Sequence, residues 1–182
     1  KWIGSSYLVT FDANGGSGTT PAQNFVYGIG QALAPNGFSK AGHTFIGWNT
    51  KADGSGLSYA DCAVVSDLTL ESGINLYAQW MLNSYHVEFH ANGGSGKAEE
   101  QAFDYDEIKG LSPNVYAKPG YAFAGWATGA DGPVVYSDEE VVRNLSTANG
   151  VTVHIYARWI ANSYQVIFNG NGTGVTGTMP AQ

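Results

Sequence analysis

Charged side chains are scarce in this sequence. They make up 13% of 182 residues, 15 acidic against 8 basic, leaving a net charge of −7, whereas about a quarter is usual. The shortage of positive charge disfavours nucleic acid and anionic lipid as partners, because an acidic surface repels phosphate. Cysteine is nearly missing too. Cys62 stands alone, which excludes an internal disulfide scaffold. No apolar run approaches the length of a membrane helix, so membrane insertion is not expected.

Glycine and aromatic residues are plentiful: 25 glycines, and 13% Phe, Trp and Tyr. Such a chain reads as a turn-rich β protein with an aromatic core. It also repeats itself. SYLVTFDANGGSG starts at Ser6, SYHVEFHANGGSG at Ser84 and SYQVIFNGNGTG at Ser163. Tyr7 and Tyr85 are 78 residues apart, and Tyr85 and Tyr164 are 79 apart. A fixed period of this length marks a tandem array. Arrays suit reach, spacing and multivalent contact better than catalysis, which needs one site built once.

The repeat divides the chain into 1–6 (end of a preceding copy), 7–82, 83–161 and 162–182 (start of a third copy). Trp2, Trp80 and Trp159 each stand five residues before a repeat tyrosine, and Pro180-Ala181-Gln182 echoes Pro21-Ala22-Gln23. The array is expected to continue on both sides. Length changes between copies fall among polar and glycine residues near Pro133 and between Ser146 and Gly150, as loops allow.

Tyr7, Val9 and Phe11 alternate with polar positions, the signature of a strand with one apolar face. Asn14-Gly15-Gly16 supplies a turn. Thr44, Ile46 and Trp48 alternate with Phe45 and Gly47, and Leu76 shares a face with Trp80 near the end of the copy. Only 31–34 and 59–68 leave room for a helix. The expected fold class is α+β, mostly β: a small mixed sheet curled round one helix or helical turn, repeated. The expected core is Tyr7, Val9, Phe11, Phe45, Trp48, Leu76 and Trp80. Its counterparts are Tyr85, Val87, Phe89, Phe123, Trp126, Ile155 and Trp159.

The ordered set Y-x-V-x-F-x-A-N-G-G-S-G, G-x-x-F-x-G-W, A-D-G and L-Y-A-x-W resembles the Listeria–Bacteroides repeat, also called the internalin B-repeat type. Tyr7 to Gly18, Gly42 to Trp48, Ala52 to Gly54 and Leu76 to Trp80 carry it, as do Tyr85 to Gly96, Gly120 to Trp126, Ala130 to Gly132 and Ile155 to Trp159. The resemblance implies tandem β-grasp (ubiquitin-like) modules of bacterial cell-surface proteins, outside the cell or on its wall. It implies no catalytic residue. His43 departs from the pattern, standing where the second copy has Tyr121.

Candidate chemistry is thin. Gly172 to Gly177 fits G-x-G-x-x-G, but Met179-Pro180 opposes the helix start a dinucleotide site needs. Asp53 and Asp131 lie in A-D-G turns, with Asp61 and Asp138 beyond them, and the spacing is not that of a calcium loop. His86 and His90 on one strand would lie roughly 13 Å apart, too far for one zinc. Cys62 has no recognisable base beside it. No catalytic, cofactor or metal residue is assigned, and no cofactor is expected. Tyr59, Tyr77, Tyr136 and Tyr156 are the candidate interaction residues, able to stack on a sugar or dock in a partner.

The functional expectation is a non-catalytic repeat segment of a bacterial surface protein, acting as spacer or stalk and as an adhesion or protein-interaction region. Its partners would be the neighbouring repeats, with a host or cell-surface protein or a glycan as outside candidates. The alternative is a carbohydrate-binding module of a secreted multidomain enzyme.

Overall fold

A computed structural model describes residues 5–168, with Gly174 and Gly177 beyond them. The glycine run at 172–177 therefore falls largely outside the described residues. Every regular element among those described is a strand and none is helical. The α+β expectation, and the β-grasp arrangement that needs a helix on its sheet, are corrected to an all-β fold.

The two stretches with room for a helix explain the correction. Gln31–Ala32 and Val64–Val65 are short strands that pair antiparallel with each other. The backbone N–H of Leu33 donates to Ala63 O at 2.9 Å, and that of Ala34 to the Gln23 side chain at 2.6 Å. Pro35 follows directly and disfavours helical geometry at Ala34. In 59–68, Cys62 and Asp67 take positive φ of 56° and 53°. A segment so short gains little from a helical nucleus, and side chains satisfy its backbone instead.

The chain divides into two compact units, Lys1–Val87 with Gln101–Gly110 and Val141–Val153, and Glu88–Glu100 with Leu111–Glu140 and His154–Gln182. The first unit holds a five-stranded sheet in the order Gln23–Val26, Ser6–Asp12, Gly73–Leu82, His43–Asn49, Ser58–Tyr59. Ser6–Asp12 runs parallel to Gly73–Leu82, with Thr10 opposite Asn75 and Asp12 opposite Tyr77. The outer strands pair antiparallel. A four-stranded sheet repeats the order as Gln101–Asp104, Ser84–His90, Thr152–Ala161, Tyr121–Ala127. Small ribbons match as well: Lys109–Gly110 pairs with Val141–Val142 as Gln31–Ala32 does with Val64–Val65. The bridge from Trp126 to Tyr136 matches the pair Trp48–Tyr59.

Tyr7, Val9, Phe25, Leu33, Trp48, Val65, Leu76 and Ala78 form the buried core of the first sheet, with Phe11, Phe45 and Trp80 partly buried against it. Phe45 and Trp48 are three apart, so unbroken alternation would send them to opposite faces. The register against Gly73–Leu82 slips between Phe45 and Gly47. Ile46 is left out, 60% exposed, and the two aromatic rings meet edge to face at 5.0 Å. Gly47 turns this bulge at φ 138°, where a Cβ would fall 2.7 Å from Tyr59 O. The other copy does the same: the slip lies between Phe123 and Gly125, and Phe123 meets Trp126 at 4.9 Å. A bulge here is what lets G-x-x-F-x-G-W place both aromatics inside. Truncating either tryptophan to Ala would cost about 3–5 kcal/mol, a large part of what so small a core supplies.

Within the first unit, Asn83 joins the end of one copy to the start of the next. Its backbone N–H donates to Gly42 O at 2.9 Å, its Oδ1 accepts from Thr44 Oγ1 at 2.6 Å, and its Nδ2 donates to Thr147 O at 2.8 Å. Asn83 O accepts from the backbone N–H of Tyr105. The Tyr105 ring lies so close over Gly42 that a Cβ there would overlap it. In the second unit Asn162 likewise donates to Gly120 O at 2.8 Å, and nothing lies within 4 Å of where a Gly120 Cβ would stand. The third copy's Tyr164 is 86% exposed, and residues 162–168 form no strand.

Gly42 and Gly120 share positive φ values of 65° and 78°. Gly42→Ala and Gly120→Ala therefore carry the same backbone strain, and only Gly42→Ala also collides with the next copy. Urea melts should show Gly42→Ala more destabilised than Gly120→Ala by about 1–3 kcal/mol. Equal losses would mean that the Tyr105 contact does not hold the junction.

Candidate functional site

Most of the repeated motif is spent on clamping turns. Asn14 sits at φ 47° and its side-chain NH2 donates to Ala52 O and Ala78 O at 2.8 and 2.9 Å. Asn92, also at φ 47°, reaches Ala130 O and Ala157 O at 2.8 and 3.0 Å. Trp80 Nε1 donates to Ala13 O and Trp159 Nε1 to Ala91 O, at 2.9 and 3.0 Å. The tyrosine hydroxyls accept from the chain: Tyr7 from Leu68 N–H and Tyr85 from Leu145 N–H, both at 3.2 Å. One asparagine thus ties the A-N-G-G, A-D-G and L-Y-A-x-W elements together.

The aspartates do similar work. Asp61 Oδ1 accepts from Asn36 N–H at 3.0 Å, and Asp138 Oδ1 from Asn114 N–H at 2.8 Å. Asp53 Oδ1 accepts from the backbone N–H and hydroxyl of Ser55, and the first of these contributes most to holding its carboxyl below the ordinary range. Asp106, at φ 66°, receives Asn144 Nδ2 at 2.9 Å and Arg143 Nη2 at 2.7 Å on one oxygen. Those donors, Asn144 foremost, lower its pKa. Cys62 is exposed in a turn at φ 56°, matched by Glu139 at φ 55°.

Of the residues expected in the core, Tyr7, Val9, Trp48, Leu76, Tyr85, Val87, Phe89, Trp126 and Ile155 are buried. Phe11, Phe45, Trp80, Phe123 and Trp159 are partly buried. Phe11 meets Trp48 at 4.7 Å, and Phe89 meets Trp126 at 5.0 Å. The indole N–H groups of Trp48 and Trp126 are buried with no hydrogen-bond partner among the described residues, so both rings act through shape alone. The candidate interaction residues Tyr59, Tyr77, Tyr136 and Tyr156 are all half-buried. The hollow beside Tyr59, about 360 Å³, is lined by Trp48, Asn49, Gly54 and Gln79 among others. Asn49 in its floor is occupied by Gly54 O, Ser58 Oγ and two backbone N–H donors from Lys51 and Gly56.

One cluster is specific to the second copy. Glu88 and His90 project from the face of Ser84–His90 that is opposite Tyr85, Val87 and Phe89. His154, on the neighbouring strand, brings its Nδ1 to 3.0 Å from His90 Nε2 and 3.0 Å from Glu88 Oε2. Glu88 Oε2 is 3.8 Å from His90 Nε2. Tyr156 stacks on the His90 ring, centroids 4.6 Å apart and planes 16° off parallel. Spacing along one strand separates His86 from His90, but the group that meets His90 comes from the next strand. The signal for it lies in the repeat itself. Thr10, Asp12 and Asn75 stand at the matching places in the first copy, and Thr10 already faces Asn75 there.

The sequence profile of the Listeria–Bacteroides repeat domain matches residues 7–79 and again 85–150. The chain belongs to the Listeria–Bacteroides repeat family. Relatives of this repeat chain include two proteins of Evansella cellulosilytica. A putative Gly-rich membrane protein is 33% identical over 178 residues, covering 94% of this chain and 19% of the relative. A putative membrane protein is 30% identical over 180 residues, covering 94% and 24%. Internalin H of Listeria monocytogenes is 32% identical over 123 residues, 66% of this chain and 20% of that protein. The chain thus spans about a fifth to a quarter of the length of these relatives.

The Asp106 clamp gives the second copy a pH signature. Its folded-state pKa is depressed, so its contribution is present above the unfolded value of about 3.9 and is lost as pH falls through the lower folded value. Asp106→Asn should lower the melting temperature at neutral pH. The gap to the parent should close as the solution is acidified below about pH 3.9. A gap that stays constant or widens in acid would show that the carboxylate charge does not support the turn.

Proposed function

We propose that the two repeats are a non-catalytic spacer and protein-interaction segment of a bacterial cell-surface protein. What carries this reading is that both copies build the same strand order from the same clamps, so each appended copy adds one more folded unit of the same build. The relatives named as membrane proteins and as internalin H support a surface location. Hydrogen bonds at the junction through Asn83 favour a joint with restricted freedom over a loose linker. The segment would then hold neighbouring domains away from the wall and present a repeated face to a protein partner, gaining grip by multivalency.

The half-buried state of Tyr59, Tyr77, Tyr136 and Tyr156 gives the carbohydrate-binding alternative no exposed aromatic row to rest on. Chains of two, four and six repeats measured by small-angle scattering should increase in maximum dimension by equal steps. A dimension that levels off as copies are added would contradict a spacer role.

A further inference from the structure

We propose that Glu88, His90 and His154 form a binding site for a zinc-type divalent cation. The three donor atoms converge from two strands on one sheet face, with separations of 3.0, 3.0 and 3.8 Å. Zinc bonds of about 2.0–2.2 Å to nitrogen and carboxylate oxygen set tetrahedral donors about 3.3–3.5 Å apart. The observed triangle brackets that spacing and closes on a cation with little side-chain movement.

The chemistry of the donors favours the same occupant. Two imidazoles and one carboxylate suit zinc and its borderline neighbours, whereas calcium and magnesium require more oxygens than are present here. The proton balance is awkward without a cation. His154 Nδ1 lies 3.0 Å from both His90 Nε2 and Glu88 Oε2, and the carboxylate can only accept. A single N–H on His154 can serve one of these neighbours directly, while a cation would satisfy all three lone pairs together. The net charge of −7 also favours gathering cations.

The site is prepared rather than improvised. Buried Val87, Phe89, Ile155 and Ala157 anchor the two strands that carry the donors. Tyr156 stacks on the His90 ring and limits its rotation. His154 is exposed, so the fourth vertex opens to solvent, where water or another external donor completes the tetrahedron. The first copy lacks the site: Thr10, Asp12 and Asn75 hold the matching places, and Thr10 Oγ1 donates to Asn75 Oδ1 at 3.1 Å. The chain therefore contains its own control, a set of residues that folds at these positions without either histidine.

The test is a zinc titration of the tag-free chain by calorimetry, with the histidine ring signals followed by NMR. One Zn2+ per chain is expected, moving the His90 and His154 signals and leaving those of His43 in place. The triple exchange Glu88→Thr, His90→Asp and His154→Asn imports the first copy's residues. It should keep the melting temperature measured without zinc and weaken binding by more than about 100-fold, beyond what loss of an outer-shell partner does. The reverse exchange, Thr10→Glu, Asp12→His and Asn75→His, should raise the stoichiometry from one to two. Absence of saturable binding in the parent chain, binding that survives the first exchange, or zinc shifts confined to His43 and His86 would each overturn the site.

Discussion

Between Phe45 and Gly47 one residue falls out of register, and the interior of the sheet depends on it. A strand of strict period two can give its apolar face only every second side chain. The repeat places two large aromatics three positions apart on that face, beside Tyr7, Phe25 and Leu76 from the other strands. The bulge at Ile46 changes the parity once, and Gly47 at φ 138° is the residue that can make the turn. Phe45 then braces Trp48 on one side and Trp80 on the other, at 5.0 and 5.6 Å. Phe123, Trp126 and Trp159 form the same three-ring set at 4.9 and 5.7 Å.

Around those rings the fold is closed by side chains that hold backbone rather than by long ladders. Asn14, Asn92, Asp61 and Asp138 each secure a turn, and Asn83 secures the junction between copies. This explains why so few charges suffice. The polar residues that recur are short ones suited to accepting or donating at the main chain. It also separates two kinds of position. Motif residues are committed to closure, and most are the same in both copies. The sheet face opposite the core is free to differ, and there the second copy has gathered Glu88, His90 and His154 where the first has Thr10, Asp12 and Asn75.

The strand at Ser6–Asp12 was legible from Tyr7, Val9 and Phe11 because its alternation is unbroken. The faces of Phe45 and Trp48 were not, since a bulge leaves only a glycine as its trace in the sequence. The expected helix failed for a related reason. Residues 31–34 and 59–68 show no turn signature strong enough to exclude one. Gln23 Oε1 accepts from Ala34 N–H, while Asp61 and Asp67, inside the second stretch, accept from Asn36 N–H and Gly28 N–H, partners that meet only in the folded chain. His90 and His154 lie 64 residues apart, and bringing them together required the pairing of their two strands, which periodicity along one strand does not reveal.

If the bulge is what builds the interior, removing it at unchanged spacing must expel a ring. Gly47→Val asks for a side chain at φ 138° and 2.7 Å from Tyr59 O, which the bulge cannot accept, and the second copy with its intact bulge at Phe123/Gly125 remains as an internal reference. Tryptophan emission followed through a urea melt measures this most directly. The account expects red-shifted emission before any denaturant is added and loss of one of the cooperative transitions, as Trp48 is turned to water. Unchanged emission with an intact melt would contradict it, because the core would then stand without the glycine that makes the bulge.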